Sequence, residues 1–246
     1  MNAETFESES LELLADLQTE LRGCINSLGG KHGDGLLEHY QFWTTIHVNR
    51  SVEGYVFLRA SRRIEASKHL IRTVIESIFR LRAICKKPEL LFRIAFTEFE
   101  EEKKWLRALQ GPDVASQIQM KDAELESFTQ EYRQKYPKHQ IVTEKLTVWE
   151  AAKSAGIEAY YESYYRLYCK FTHAAFRAST GDLNELEPED NVTMAWCTRA
   201  AIEGLVALGA AAPNLKTLAM RLSELSNRRK EVVNESSSPG GSQSSE

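Results

Sequence analysis

The spacing of helix breakers constrains this chain more than any other feature. Glycine and proline number only 13 and 6. They gather where helices should stop: Gly29, Gly30, Gly33 and Gly35 in one loop, Pro88, Gly111-Pro112, Pro137, Gly156, Gly181 with Pro188, and Pro213. Between these breaks apolar residues recur at three- and four-residue steps, as in Leu11, Leu14, Leu17, Leu21, Ile25 and Leu28. The pattern predicts helices near 4–28, 36–50, 52–86, 88–110, 112–135, 147–155, 157–178, 189–211 and 213–229. Thr147 to Glu150 has the spacing of a capping box, which marks a helix start. Only Gln140 to Val148 has a β-like flavour, too isolated to make a sheet. From Val232 onward Ser, Gly, Pro and acidic residues predict a disordered tail. The expected architecture is all-α: a single multi-helix bundle over 1–231, with a tail at 232–246 and no internal repeat.

Composition narrows the function classes. With 246 residues, 42% hydrophobic, 27% charged and a net charge of −4, the chain is neither collagen-like, mucin-like nor wholly disordered. Its first residues are acidic and lack the layout of a secretory signal. The longest weakly polar run, Ala200 to Ala212, carries Glu203 and is too short to span a bilayer. A cytoplasmic location without membrane contact is therefore expected. Cys24, Cys85, Cys169 and Cys197 show no Cys-x-x-Cys and no zinc spacing, so they are expected as reduced thiols packed like small apolar side chains.

Other motifs do not carry chemistry. The loop Gly29 to Gly35 lacks the order of a phosphate loop. Glu98 and Glu100 to Glu102 lack the Glu-x-x-His that di-iron bundles use and read as a solvated face. No Gly-x-Ser-x-Gly elbow occurs. No metal and no cofactor are expected.

Charge is unevenly spread. Residues 59–87 hold 9 basic and 2 acidic residues, whereas 1–58 hold 3 basic and 9 acidic. Such a basic block can attract phosphate or an acidic partner, RNA or protein. The plainer expectation is that it meets acidic helices of its own fold. On a helical wheel, Ile64, Leu70, Ile71, Val74, Ile75, Ile78 and Leu81 share one side of this block, and Arg62, Glu65, His69, Arg72 and Glu76 the other. That stripe is either a solvated face or a network in which Arg72 and Glu76 lock each other. A helix this long is expected to run through the centre of the fold. Near 157–178, Tyr160, Tyr161, Tyr164, Leu167, Tyr168 and Phe171 form an aromatic side, opposite Glu162, Arg166, Lys170, His173 and Arg177.

The strings Leu58-Arg-Ala-Ser-Arg-Arg, Leu70-Ile-Arg-Thr-Val-Ile-Glu-Ser and Tyr164-Tyr-Arg-Leu-Tyr-Cys-Lys-Phe-Thr-His resemble bacterial domain-of-unknown-function family 5677 over roughly residues 40–210. Cys169 stands where that family more often has Ser. The resemblance implies an all-α fold, carries no established activity, and singles out Arg72, Glu76 and His173. A looser likeness is to the HEPN ribonucleases, whose Arg-then-His helix motif Arg166 and His173 would match. Leu167 replaces the polar residue usual after that Arg.

Two function classes follow. One is a binding or regulatory module in which Arg62, Arg72, Glu76, Arg166, Lys170 and His173 supply a polar network. The other is a metal-independent endoribonuclease of toxin or phage-defence type. There Arg166 would hold the phosphate and His173 would move a proton at the ribose 2′-hydroxyl. A homodimer would pair two His173. Because both helices carry a polar stripe opposite an apolar one, and the resemblance to family 5677 pairs them, the helix of Arg72 and Glu76 is expected beside that of His173.

Overall fold

The computed structural model describes residues 3–29, 35–109, 113–172 and 187–236. Its helices are α1 (Ala3–Leu28), α2 (Leu36–Ala60), α3 (Ile64–Lys86), α4 (Leu91–Ala108), α5 (Val114–Lys135), α6 (Val148–Ala155), α7 (Glu158–Tyr160), α8 (Arg166–Thr172), α9 (Glu187–Ala207) and α10 (Leu215–Ser236). A single 3₁₀ turn, Pro88–Leu90, leads into α4, and a π turn, Tyr161–Tyr165, joins α7 to α8. Among the described residues there is no strand, and no helix is long and apolar enough to cross a membrane. The protein is a single all-α bundle, as the spacing predicts.

Helix α3 occupies the middle of the bundle. It packs on α2, α6, α8 and α9, while α1 lies along α9 and α10 covers both. Its apolar side buries Ile71, Val74, Ile75, Ile78, Phe79, Leu81 and Ile84. From α1 the periodic Leu14, Leu17 and Leu21 are completely buried. Helix α5 buries only Tyr132 and lies against α4. Ion pairs Lys103–Asp122, at 2.9 Å, and Lys121–Glu102, at 2.9 Å, fix the register of that hairpin. Glu98, expected on a solvated face, instead accepts from Tyr40 at 3.2 Å and Arg80 at 3.3 Å.

The boundary between α2 and α3 differs from the sequence reading. The spacing predicts a break near residue 51, but α2 runs unbroken to Ala60. Ser51, Val52 and Tyr55 are buried within it, so tertiary packing overrides the modest helix propensity of this β-branched stretch. The turn falls at Arg62, whose φ of 54° is left-handed although it is not glycine. The amide of Arg63 donates to the Leu58 carbonyl at 2.8 Å and that of Arg62 to Arg59 at 3.0 Å. This is the bonding of a glycine-ended helix, made here with arginine. Arg62 therefore sits in the turn before α3 and does not share a helix face with Arg72 and Glu76.

The segment 140–147 is irregular. Its backbone finds partners on α4: Arg93 donates to the carbonyls of Glu144 at 3.2 Å and Lys145 at 2.9 Å, and the Leu146 amide donates to Thr97 Oγ1 at 2.7 Å. No sheet is needed to satisfy it. Both halves of the predicted capping box form at Thr147 and Glu150. Thr147→Ala is expected to lower stability by about 0.5–2 kcal/mol in a urea titration. An unchanged midpoint would mean the cap contributes nothing.

At the C-terminus the backbone of α10 continues to Ser236, past the boundary expected at 231. No glycine or proline interrupts the chain between Pro213 and Pro239. Residues 237–246 lie outside the described residues.

The basic block is largely engaged inside the fold. Arg59 pairs with Glu7 at 2.7 Å, Arg72 with Glu76 at 3.0 Å, Arg80 with Glu98 at 3.3 Å, and Arg82 with Glu203. Lys86 Nζ donates to the Ala155 carbonyl at 2.5 Å.

Candidate functional site

The polar stripe of α3 divides. Glu65 and His69 are exposed, as a solvated face would be. One turn further on, the side chains of Arg72 and Glu76 are 25% and 24% exposed, and Arg72 Nε donates to Glu76 Oε1 at 3.0 Å. What separates this pair from a surface ion pair is Tyr165. Its hydroxyl crosses from the π turn and donates to the same Glu76 Oε1 at 2.7 Å. The Arg72 guanidinium lies 5.7 Å from the centre of the Tyr165 ring, a cation–π contact. One tyrosine thus fixes both members of the pair.

Tyr165 is held in turn by its neighbours. It is 6% exposed, stacks on Tyr161 at 5.0 Å and packs on Phe79 at 6.1 Å. Trp149 of α6 meets Tyr161 edge-on at 5.1 Å. Burial, the Glu76 carboxylate and Cys169 together push the Tyr165 hydroxyl well above the usual tyrosine range, burial most strongly. The hydroxyl is therefore a fixed donor, and Cys169 takes part in the cluster one turn along.

The segment carrying Tyr165 departs from regular helix. A π turn inserts an extra residue, and such bulges are frequent at functional sites. Tyr161 and Tyr165, four residues apart, both pack on Phe79 of α3, while Tyr160 stacks on Trp196 of α9 at 4.1 Å. The expected neighbourhood of α3 with the helix leading to His173 is present, and Tyr165 makes the connection.

Of the other residues singled out by sequence, Arg166 and Arg62 do not join this cluster. Arg166 is 64% exposed and pairs with Glu162 at 2.6 Å. Arg62 is exposed in the α2–α3 turn. His173 and the side chain of Lys170 lie outside the described residues.

A second polar cluster, buried, was not anticipated. Asp190 at the start of α9 is fully buried and accepts from the Tyr168 hydroxyl at 2.6 Å. Lys68 Nζ, also fully buried, lies 3.9 Å from Asp190 Oδ2, and Arg59 Nη1 lies 4.0 Å from it. Beside them Tyr55 donates to Asn191 Oδ1 at 2.6 Å, and Asn191 donates to Ser10 at 3.0 Å. The cluster ties α1, α2, α3, α8 and α9 together. Lys68 could have been found by periodicity, since it stands four residues after Ile64 and three before Ile71, on the apolar side.

Chemically, the Arg72–Glu76 site offers a donor and an acceptor in fixed relation. Among the described residues no group of three or more His, Cys, Asp or Glu is placed to hold a metal ion. All four cysteines are free thiols; Cys24 and Cys197 are buried, whereas Cys85 is exposed, unlike the packed thiol expected.

Fold and site together define a helical bundle whose central helix carries a clamped Arg–Glu pair. The chain belongs to the family of unknown function DUF5677, whose family model matches residues 46–191. That span includes Arg72, Glu76 and Tyr165, and also Lys68 and Asp190. No curated protein and no solved structure matches the chain.

Proposed function

We propose that this protein is a binding or regulatory module whose recognition element is the Arg72–Glu76–Tyr165 cluster. The observation that carries the reading is the Tyr165 hydroxyl, 2.7 Å from Glu76 Oε1 while Arg72 and Glu76 stay about a quarter exposed. A merely solvated ion pair contributes little and needs no buried clamp. A clamped pair that still reaches the surface suits a partner that presents a carboxylate to Arg72 and a donor to Glu76. Because most cations of the basic helix pair within the fold, an acidic protein segment fits this site better than the backbone of an RNA.

The ribonuclease reading has one observation in its favour: Arg166 is exposed directly after the π turn, where it can reach a phosphate. It requires His173 as the proton carrier and a dimer to pair two such residues. A paired measurement separates the readings, using RNA cleavage without added metal and thermal unfolding. For the module, the wild type cleaves no RNA, and Glu76→Ala loses about 1–3 kcal/mol by taking the acceptor from the Tyr165 hydroxyl. For the ribonuclease, His173→Ala and Arg166→Ala each lower cleavage by about 10² to 10⁴ while unfolding stays nearly unchanged. That second outcome would replace the module reading.

A further inference from the structure

Behind the π turn, on the side away from α3, lies a half-open cavity of about 430 Å³ between α9 and α10. Pockets of a few hundred Å³ suit small organic ligands. One wall is a stack of rings: Trp196, then Tyr160 at 4.1 Å and 15°, then Tyr164 at 5.7 Å and 30° from Tyr160. Arg82 covers Trp196 at 5.5 Å from the ring centre, so the stack can grow only at its Tyr164 end. Arg199 also lines the cavity, and among the described residues no carboxylate does. Arg199 Nε lies 3.0 Å from Glu203 Oε1, and Glu203 also takes Arg82, so two guanidinium groups share one carboxylate. The surplus charge is positive. On the α10 side, Ser223, Ser226 and Asn227 supply polar edges.

These features select a ligand class. An aromatic wall with a surplus cation disfavours a quaternary ammonium and favours a planar ring that bears an anionic group. We propose that this cavity binds a nucleoside monophosphate. The base extends the ring stack at Tyr164, the α10 side chains meet its polar edge, and Arg199 takes the phosphate. The site is separate from the Arg72–Glu76 cluster and does not depend on the function assigned to it.

The test is calorimetric titration of the full chain with AMP, GMP, CMP and UMP, and with adenosine and inorganic phosphate as the two halves. At least one mononucleotide should bind, and each half should bind at least about tenfold more weakly, since a charge-assisted hydrogen bond and a base stack each contribute on that scale. Arg199→Gln should weaken binding about tenfold or more, and Tyr164→Ala about fivefold or more. Asn227 is exposed on α10, so Asn227→Trp can plug the cavity without disturbing the core and should abolish binding even if Arg199→Gln proves unstable. Glu131→Gln, at an exposed position of α5 away from both the cavity and the α3 cluster, should leave the titration unchanged. The proposal is overturned if no mononucleotide binds at millimolar concentration, or if phosphate or adenosine alone binds as well as the nucleotide. It is overturned equally if binding survives Asn227→Trp.

Discussion

Replacing Asp190 by alanine is expected to lower the unfolding free energy by about 3–5 kcal/mol, the scale for removing one partner of a buried ion pair. The carboxylate has no exposure, and neither does the Lys68 side chain 3.9 Å away. Arg59, 4.0 Å from the same oxygen, is 4% exposed. Without Asp190, Lys68 and Arg59 lose the carboxylate that lies 3.9 and 4.0 Å from them, and the Tyr168 hydroxyl loses its acceptor at 2.6 Å. Both losses add to the cavity left behind. Lys68→Met should cost less, because the thioether fills the space and Asp190 retains Arg59 and Tyr168. A urea titration of both variants checks the order. If Asp190→Ala lies within about 1 kcal/mol of wild type, the cluster is not held as an ionic unit.

This cluster also marks where sequence reasoning stops. The helices and their apolar faces were legible because burial follows the helical period: Leu14, Leu17 and Leu21 on α1, and Ile71, Val74, Ile75 and Ile78 on α3, are all buried as spaced. The end of α2 was not legible, because the chain turns on an arginine in the left-handed region rather than on glycine. Where glycine does the same work, at Gly156 with φ 67°, the boundary was read correctly, and a Cβ there would meet Lys86 Nζ at 2.7 Å. Arg72 and Glu76 could be paired from their spacing. Their clamp could not, since Tyr165 reaches Glu76 across 89 residues of sequence. Tyr165 still left a trace: it follows Tyr161 by four residues and precedes Tyr168 by three. Asp190 left none, because beside Glu187 and Glu189 it reads as one more ordinary first-turn carboxylate.

The second large effect is on alkaline stability. The protein is expected to unfold cooperatively as pH rises above about 10, the usual value for tyrosine. Tyr132, Tyr165 and Tyr168 are at most 6% exposed. Burial pushes the Tyr132 hydroxyl up to about 12. It raises Tyr168 well above the usual range, helped by Asp190. Tyr165 is raised in the same way, helped by Glu76 and Cys169. Among the thiols, burial carries Cys24 up to about 11. A raised value means that the folded state keeps its proton where the unfolded chain releases it. Stability from the tyrosines is therefore complete below about pH 10, and that from Cys24 below about pH 9, and each declines as pH climbs toward the folded values. Each tyrosine removes about 1.4 kcal/mol per pH unit, so three together remove about 4 kcal/mol per unit. A domain stable by roughly 5–15 kcal/mol reaches its midpoint within a few units of that slope. Phenolate absorbance and helical circular dichroism should change together in one step. Tyr132→Phe should make the decline shallower by removing one group. If phenolate forms gradually while helicity persists to pH 12, these tyrosines titrate inside the folded protein, and the tight burial of their hydroxyls is wrong.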